Sequence, residues 1–504
     1  MGIVYLIGAG PGDPGLLTLK ARDVLTRADV VVYDALANAS FLDYCRADCE
    51  RVYVGKIADK HAMSQWQINQ LLVDKAKEGK NVARLKGGDP YIFGRGGEEA
   101  QELLAAGVAF EEIPGISSTV SAPAYAGIPL THRSYASSVT IVTGHEDPTK
   151  AESALDWRAL ARSAATLVFV MGMKNLPEIA KRLIDAGLAP DTPAALVYRG
   201  TTPRQRSLVS TIADLPAAAV REKFTNPSVI VVGGVCALRD ELNWFEQKPL
   251  FGRSVVVTRA REQASGLAAT LAELGAEVVQ CPTIRIAPLE DTASLDRAVR
   301  ELAGYAWVIF TSVNGVRFFW KRLRAAGLDA RALGGRMVAA IGPATAAELE
   351  LHGVHADFVP EKYVAEGVVE GLLARGSLEG ARVLIPRALV AREVLPEALA
   401  AAGALVDVVP AYRTVPDASR GEEVIARVEA GTLDCVTFGS SSTVENFLAI
   451  VPADLLKAHP SVKLAAIGPV TARTLARHGL PCDIMPTVYT IPALVQALVD
   501  TYHA

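Results

Sequence analysis

The segment at residues 85–97, LKGGDPYIFGRGG, constrains the fold of this chain more than any other stretch. The apolar run Val82–Leu85 predicts a short buried strand, which breaks at Gly87, Gly88 and Asp89. Adjacent glycines can adopt positive φ values and let a ligand approach the backbone, because no Cβ stands in the way. Glycines and one fixed carboxylate at the carboxyl end of a strand are typical of small-ligand sites in α/β proteins, although an ordinary strand-to-helix turn would look the same.

The composition excludes several classes of protein. The 504 residues are too many for one core and predict two or three domains. The formal net charge of −4 gives no support for a nucleic-acid partner, and no apolar run approaches the ~20 residues of a membrane span. The six cysteines are scattered without a CxxC pair, and the chain opens without a signal peptide. We therefore expect a cytoplasmic protein without disulfides or a bound metal.

The beginning of the chain predicts a parallel sheet. A strand at Ile3–Ile7, a loop at 8–14, a helix at Leu16–Ala28 and a strand at Val30–Tyr33 form a β-loop-α-β unit. The loop GAGPGDP is not the dinucleotide fingerprint GxGxxG, because Asp13 stands where the last glycine would be. A carboxylate there would repel a pyrophosphate, which favours a nucleoside ligand without phosphates, such as one with a positive centre.

Charged residues end two of the predicted strands. Asp34 follows the strand Val30–Tyr33, and Lys56 follows the strand Val52–Val54. An acid at the carboxyl tip of a parallel strand lies in the mouth of the sheet, and Lys56 would place a cation in similar register. The alternative is that Asp34 caps the next helix and Lys56 is solvated.

The strands that follow predict a second lobe. Each ends at a turn that contains glycine, and they lie at Ser138–Thr143, Thr166–Val170, Ala194–Tyr198 and Ser228–Val232. We therefore expect two α/β lobes, at about residues 1–113 and 114–245, with a cleft between them.

Motifs spread over residues 1–245 carry a resemblance to a known family. They are VYLIGAGPGDPGLLTLKA, VVYDAL, RLKGGDPYIFGRGGEE, AYAGIPLTHR, SVTIVTGH, ALVYRGTTPRQR and LNWF, in unbroken order. Together they resemble uroporphyrinogen-III C-methyltransferase, one of the tetrapyrrole methylases. The resemblance implies the donor S-adenosylmethionine, whose sulfonium centre and lack of phosphate agree with the inference from Asp13. Homodimers are typical of this family.

The resemblance also implies roles for individual residues. It places a proton acceptor at Asp34 and a proton donor at Lys56, since a proton must leave the tetrapyrrole once a carbon has been methylated. The implied donor contacts are Pro11, Gly87, Gly88, Asp89, Ile92, Ser117, Ser118, Met171 and Gly200. The substrate is a polycarboxylate, so cations are expected to line its cleft. The candidates for these cations are His61, Arg95, His132 and Arg133.

A linker at residues 246–252 separates this half from a second domain at 253–504, which repeats itself. VIFTSVNGVRFF at 308–319 matches VTFGSSSTVENF at 436–447, and AAIGPATA at 339–346 matches AAIGPVTA at 465–472. A duplicated α/β unit predicts two similar half-domains that form a two-lobed clamp.

The chemistry visible in this clamp is sparse. Small hydroxyl residues follow the predicted strands, and hydroxyls with backbone N–H groups at helix N-termini suit an anionic ligand. These residues are Thr311, Ser312, Thr345, Ser440, Ser441 and Thr471. Taken singly, each is better explained as an ordinary helix cap.

Residues 253–504 resemble uroporphyrinogen-III synthase through VVVTRA, FTSVNGV, AIGPATA, VLIPRA, VVPAYRT and AAIGPVTARTLARHGL. The family fold has two flavodoxin-like lobes joined by a two-strand linker, with the first and last parts of the domain in one lobe and the middle in the other. The resemblance implies cyclisation of hydroxymethylbilane, and it makes the six hydroxyl residues binding candidates. The family's AYxT tyrosine falls on Tyr412, which could assist departure of the substrate hydroxyl, although we expect positioning to matter more.

The two resemblances together predict a bifunctional enzyme. One half would form uroporphyrinogen III, and the other would methylate it at C2 and C7 to give precorrin-2, on the route to sirohaem or cobalamin. One alternative is a methyltransferase whose second half binds tetrapyrroles without catalysis. Another is an RNA or protein methylase, which the absence of a basic stripe opposes.

Overall fold

The computed structural model describes residues 2–55, 63–144, 155–163, 165–258, 261–361 and 365–503. The chain folds as two compact units. The first contains Met1–Val255, Ala269–Val278 and Leu498–Ala504, and the second contains Val256–Ala268 and Val279–Ala497. Within the described ranges, no helix is both long and apolar enough to cross a bilayer.

The first unit contains two sheets with helices packed against them. Its strands are β1 (Ile3–Gly8), β2 (Val30–Tyr33), β3 (Glu50–Tyr53), β4 (Val82–Lys86), β5 (Ala109–Ile113), β6 (Val139–Thr143), β7 (Thr166–Val170), β8 (Pro193–Tyr198), β9 (Arg206–Thr211) and β10 (Ser228–Val232). Its α-helices are α1 (Leu19–Leu25), α2 (Gln65–Lys77), α3 (Gly96–Ala105), α4 (Ser118–Tyr125), α5 (Trp157–Ser163), α6 (Leu176–Asp185), α7 (Leu215–Arg221) and α8 (Arg239–Leu242).

The first sheet has the strand order β3-β2-β4-β1-β5, and its strand pairs are parallel. Along β1, Val4 and Leu6 pack into one core cluster and Tyr5 and Ile7 into another, because successive side chains point to opposite faces. Both faces are therefore covered, as is usual for parallel sheets. The parallel sheet predicted from the β-loop-α-β opening is confirmed.

The helix predicted at Leu16–Ala28 is wrong in its bounds. Residues Pro14–Leu16 form a short 3-10 turn, and α1 begins only after Thr18. The Thr18 side chain accepts a hydrogen bond from the Ala21 N–H at 3.2 Å and so caps α1. The apolar spacing was correct for the helix but could not show where this cap divides the segment.

The second sheet is mixed and has the order β6-β7-β10-β8-β9. Strand β6 runs parallel to β7, whereas β10 runs antiparallel to both β7 and β8. The amino end of β10 therefore lies at the same sheet edge as the carboxyl ends of β7 and β8. This edge faces the ligand cavity described below.

The chain from Ser254 to Tyr502 contains two further sheets. Its strands are β11 (Ser254–Val257), β12 (Glu277–Gln280), β13 (Ile284–Ala287), β14 (Trp307–Phe310), β15 (Met337–Ala340), β16 (Arg382–Ala388), β17 (Leu405–Pro416), β18 (Cys435–Phe438) and β19 (Lys463–Ala466). Its α-helices are α9 (Arg261–Glu273), α10 (Ala293–Arg300), α11 (Val313–Ala325), α12 (Pro343–Glu350), α13 (Ala365–Leu373), α14 (Val394–Ala401), α15 (Gly421–Glu429), α16 (Ser441–Leu448), α17 (Ala453–Ala458), α18 (Pro469–Arg477) and α19 (Ile491–Tyr502).

The sequence duplication appears as two sheets of equivalent order. One sheet runs β12-β11-β18-β19, and the other runs β13-β17-β16-β14-β15. The strands β14 and β18, which carry the first repeated motif, take the same place in the two orders, and so do β15 and β19. A residue within each of the latter forms an isolated parallel bridge with a later residue, Ala339 with Phe358 and Ala465 with Ile484.

The first and last strands of this domain share one sheet and the middle strands form the other, as the resemblance implied. The first strands of this part of the chain, β11 and β12, share a sheet with β18 and β19, whereas β13 to β17 form the other sheet. Strand β13 pairs antiparallel with the end of β17, from Ile284 with Pro416 to Ala287 with Arg413. The predicted α/β class, with two lobes in each half, is confirmed.

Candidate active site

A cavity of about 500 Å³ in the first unit is lined by loops that follow strands of both sheets and by residues of β7, β8 and β10. Every residue expected to contact the donor lies in its wall: Pro11, Gly87, Gly88, Asp89, Ile92, Ser117, Ser118, Met171 and Gly200. These residues come from loops at the carboxyl ends of strands and from the start of α4. The sequence-based set therefore converges on one cavity.

The floor of the cavity depends on close contact between backbone segments. The Gly88 N–H donates to the Gly10 oxygen at 2.7 Å, and the Gly10 N–H donates to the Gly88 oxygen at 3.1 Å. Gly8 packs directly on Gly115, since a Cβ built on Gly8 would lie 2.4 Å from the Gly115 Cα. The tips of β1, β4 and β5 can meet in this way only because side chains are absent.

Asp89 fixes the shape of the double-glycine turn. It is 8% exposed, and its Oδ1 accepts hydrogen bonds from the backbone N–H groups of Tyr91 at 2.8 Å and Ile92 at 3.1 Å. Its Oδ2 accepts a third bond from the Gly115 N–H at 3.0 Å. The carboxylate thus ties the turn after β4 to the loop after β5, and both of its oxygens are engaged within the protein.

Asp13 does not face the cavity, contrary to the inference drawn from the loop sequence. Its Oδ1 accepts from the Gly15 N–H at 2.7 Å, and its Oδ2 accepts from the Tyr125 hydroxyl at 2.7 Å. Burial, together with the bond to this carboxylate, raises the pKa of Tyr125 well above its usual range. The Asp13 N–H also donates to Thr201 Oγ1 at 3.2 Å, so Asp13 connects the two lobes of the first unit.

Sequence reasoning missed two cations and one strand end in the cavity wall. Lys174 and Arg199 both line it, in the turns that follow β7 and β8. Asn226 and Pro227 line it as well, immediately before β10. The antiparallel direction of β10 brings these two residues to the site, whereas a search of carboxyl strand ends alone passes over them.

Asp34 lies beside the cavity and is not part of its wall, whereas Leu36, two residues later in the chain, lines the wall. Its Oδ1 accepts from the Leu36 N–H at 3.0 Å, and its Oδ2 accepts from the Arg84 guanidinium at 3.3 Å. Its side chain remains 26% exposed. The role of Asp34 as proton acceptor therefore stays a prediction, and Lys56 and His61 lie outside the described residues.

A buried charge cluster adjoins Asp34. Arg84 and Lys86 point from β4 toward the face of the sheet that α2 and α3 cover, where both meet Glu99. Burial, with the nearby charge of Arg84 as the second cause, lowers the pKa of Lys86. Perturbed ionisable groups of this kind are concentrated at functional sites, although structural ion pairs produce them too.

The remaining cations expected to bind substrate lie outside this cavity wall. Arg95 has a left-handed backbone with φ of 60°, and its guanidinium pairs with the Glu98 carboxylate. His132 Nδ1 accepts from the Ser134 N–H at 3.1 Å, and Arg133 is exposed. Their contact with substrate stays a prediction.

In the second unit the structure brings Tyr412 and Ser312 together. Tyr412 is 7% exposed, its hydroxyl lies 3.1 Å from Ser312 Oγ, and its ring stacks on Phe318 with centroids 5.7 Å apart. Ser312 also caps α11 by accepting from the Gly315 N–H at 3.0 Å. Thr311, half-buried, directly precedes this cap.

The equivalent residues of the other lobe are also engaged in local structure. Ser440 caps α16 by accepting from the Thr443 N–H at 3.3 Å, and Ser441 Oγ donates to the Val470 oxygen at 3.3 Å. Thr345 is only 4% exposed and Thr471 only 3%. The cap interpretation thus accounts for Ser312 and Ser440, and burial leaves the two threonines little surface for a ligand. In the part of the chain that is described, no three His, Cys, Asp or Glu residues are gathered as a metal ion requires.

Comparison with known proteins finds a different family in each half of the chain. Residues 3–216 match the family model of the tetrapyrrole (corrin/porphyrin) methylases, and residues 265–496 match that of uroporphyrinogen-III synthase HemD. The chain is 37% identical over 499 residues to a porphyrin biosynthesis protein HemD from Ruminiclostridium josui, which covers 99% of this chain and 98% of that protein.

The first half has similar proteins of its own. It is 54% identical over 241 residues to an S-adenosyl-L-methionine-dependent uroporphyrinogen III methyltransferase from Methanosarcina barkeri, which covers 48% of this chain and 94% of that protein. A uroporphyrin-III C-methyltransferase structure from Thermus thermophilus, complexed with S-adenosylhomocysteine, aligns at 39% identity and a TM-score of 0.41 and covers 47% of this chain and 100% of that one.

Proposed function

The chain belongs to the tetrapyrrole methylases in its first half and to the uroporphyrinogen-III synthases in its second, and on this premise we propose that it is a bifunctional enzyme of tetrapyrrole biosynthesis. The second half cyclises hydroxymethylbilane to uroporphyrinogen III, inverting the last pyrrole ring and releasing water. The first half methylates uroporphyrinogen III at C2 and C7 to give precorrin-2, which leads toward sirohaem or cobalamin.

The observation that carries this proposal is the cavity in which the predicted donor residues converge. Around the double-glycine turn its wall is built from glycines and serines, and a Cβ added at Gly88 would meet no atom closer than 3.9 Å. S-adenosylmethionine, when bound, supplies a methyl group activated by its sulfonium centre. The double-glycine turn, Pro11, Ser117 and Met171 would hold its nucleoside and amino-acid parts, and Asp89 keeps the turn in shape.

Asp34 is the proposed proton acceptor. A pyrrole carbon that has gained a methyl group must lose a proton elsewhere on the ring system, and a carboxylate within hydrogen-bond reach can accept it. The partial exposure of Asp34, next to the cavity wall at Leu36, supports this role. Arg84 holds one of its oxygens and so fixes the direction of the carboxylate.

The full chain with labelled S-adenosylmethionine and uroporphyrinogen III tests the methyltransferase. We expect label in a dimethylated product, and we expect Asp34→Ala to bind S-adenosylhomocysteine as the wild type does while losing most of the methyl transfer. Asp23→Ala, which removes an exposed carboxylate from α1, is the matched control and should leave turnover unchanged. Undiminished turnover in Asp34→Ala would remove the base assignment.

The synthase is tested with hydroxymethylbilane alone, so that methylation cannot contribute. The linear substrate closes without inversion when it is left to itself, so the ratio of the two uroporphyrinogen isomers reports catalysis. Predominance of isomer III identifies the second half as a synthase. The uncatalysed isomer pattern, at equal total rate, would instead favour a tetrapyrrole-binding module without catalysis.

The proposal extends to assembly and location. The methyltransferase half forms a homodimer, as its family resemblance implies, and the enzyme acts in the cytosol, where its six cysteines would remain without disulfides. Light scattering on the full chain tests the first point, and a mass of one chain at working concentration would contradict it. Cell fractionation tests the second.

A further inference from the structure

A fully buried carboxylate lies one guanidinium away from Asp34. Glu99, in the first turn of α3, is 0% exposed. Its Oε1 accepts hydrogen bonds from Lys86 Nζ at 2.7 Å and from Gln65 Nε2 at 3.0 Å, and Arg84 Nε lies 3.5 Å away. Its Oε2 is buried and has no hydrogen-bond partner among the described residues. A buried ion that is only partly satisfied costs stability, so this arrangement calls for an explanation beyond folding.

Arg84 connects Glu99 to the proposed base. One terminal nitrogen of its guanidinium donates to Asp34 Oδ2 at 3.3 Å, and the other donates to the Leu85 oxygen at 3.1 Å. The Arg84 side chain is 4% exposed, whereas that of Asp34 is 26% exposed. Asp34 is therefore the outer member of the cluster, in contact with solvent and with the rim of the site.

The charges in the cluster balance only when Asp34 is counted. The three buried members, Arg84, Lys86 and Glu99, sum to a charge of about +1. Asp34 supplies the compensating negative charge. Two further charged groups near the start of α3, Arg95 and Glu98, pair with each other in solvent and contribute little.

We propose that Glu99 is a positioning residue for methyl transfer, which acts through Arg84 and Lys86 to orient Asp34 and to offset part of the positive charge that faces its carboxylate. This inference rests on the proposed role of Asp34. Without the charge of Glu99, two buried cations would face Asp34 alone and would stabilise its ionised form, so it would hold a proton less well. Without the charge of Lys86 the effect would be reversed.

The test is the pH dependence of kcat for methyl transfer by the full chain, measured for the wild type, Glu99→Gln and Lys86→Gln. At an effective dielectric constant near 20, one charge roughly 10 Å from a carboxylate changes the proton affinity of that carboxylate by about one pH unit. We expect the acidic limb of the profile to move down by about one unit in Glu99→Gln and up by about one unit in Lys86→Gln. We also expect kcat near neutral pH to fall by no more than about tenfold in Glu99→Gln, since a base weaker by one unit loses at most that factor in proton transfer.

Opposite shifts of the acidic limb in Glu99→Gln and Lys86→Gln separate this role from a merely structural one. A structural role would leave the acidic limb in place in both variants or would shift it in the same direction in both. Glu102→Gln, on the exposed side of α3, is the matched control and should leave the limb in place. Glu99→Asp keeps the charge and should keep the limb of the wild type. S-adenosylhomocysteine should bind all variants within about twofold of the wild type, since none removes a cavity contact.

Limbs that stay in place or shift together in Glu99→Gln and Lys86→Gln would overturn the inference while leaving Asp34 as the base. Full turnover in Asp34→Ala would instead overturn the proposed base itself, so the two failures are distinguishable. If Glu99→Gln does not fold, Lys86→Gln and Glu99→Asp still decide, because an unmoved limb in Lys86→Gln contradicts the charge balance described above.

Discussion

Gly88 offers a direct test of where the methyl donor binds, because Gly107 provides a matched control. The two residues have nearly the same left-handed backbone, with φ of 71° and 70°. A Cβ at Gly88 would approach Ser117 Cα and Ser118 N no closer than 3.9 Å, and a Cβ at Gly107 would meet nothing within 4 Å. Alanine therefore imposes the same strain at both sites without a clash, and only Gly88 lines the cavity.

The expected losses can be estimated separately for stability and for binding. A left-handed alanine costs about 1–2 kcal/mol, and reduced freedom of the unfolded chain returns roughly 0.4–1 kcal/mol. Both variants should thus lose about 1 kcal/mol of folding stability. At Gly88 the new methyl group also enters space next to Ser117 and Ser118, where a donor packed on bare backbone would overlap it. Overpacking costs about 1–3 kcal/mol, which corresponds to a dissociation constant raised roughly fivefold to more than a hundredfold.

The assay is calorimetric titration of the full chain with S-adenosylhomocysteine, for wild type, Gly88→Ala and Gly107→Ala, with urea unfolding of each. We expect Gly107→Ala to bind as the wild type does, although it is less stable. Gly88→Ala should bind at least about fivefold more weakly at equal stability loss. If the two variants bind equally, the donor does not lie against the double-glycine turn, and the cavity assignment is refuted.

Two further outcomes are expected in the second unit. Tyr412→Phe removes the 3.1 Å contact with Ser312 but keeps the ring on Phe318. It should therefore cost about 1 kcal/mol of folding stability and slow cyclisation less than tenfold. A fall in the cyclisation rate of more than about a thousandfold would instead identify Tyr412 as an essential acid. Arg322 bonds Asp296 at 2.6 and 2.7 Å and holds the pKa of that carboxyl below its usual range. Asp296→Asn should therefore cost about 1 kcal/mol above pH ~4, and the difference should fade as the pH falls through the lowered pKa of the folded state; an equal difference at pH ~2 would contradict the ion pair.

Several strands were predictable from the local sequence, whereas the strand predicted at Val52–Val54 is displaced, since β3 spans Glu50–Tyr53. The bounds predicted for β2, β7 and β10 agree with the structure, since each is a short apolar run between turn residues. Strand direction is not local. That β10 runs antiparallel to its neighbours depends on pairing with β7 and β8, and this pairing places Pro227 in the cavity wall.

The candidate site was predictable in part, for two different reasons. Motif resemblance found the cavity wall, including Met171. Neither motif resemblance nor local reasoning could find the cluster around Glu99, because Arg84 and Asp34 meet across 50 positions of sequence. The helix caps Ser312 and Ser440 show the opposite case, where the ordinary interpretation of a small hydroxyl already accounts for its contacts.

The β1 loop is unsuited to a pyrophosphate for a different reason from the repulsion that the charge of Asp13 suggested. A phosphate site at a glycine-rich loop needs backbone N–H groups that are free to point at the ligand. In this loop the Gly10 N–H donates to Gly88, the Asp13 N–H donates to Thr201, and the Gly15 N–H donates to the Asp13 carboxylate. These donors are consumed in joining the β1 loop to the β4 turn and to the second lobe. The loop therefore contributes backbone shape to the cavity rather than charge, and a phosphate-free donor suits it because few amides remain for an anion.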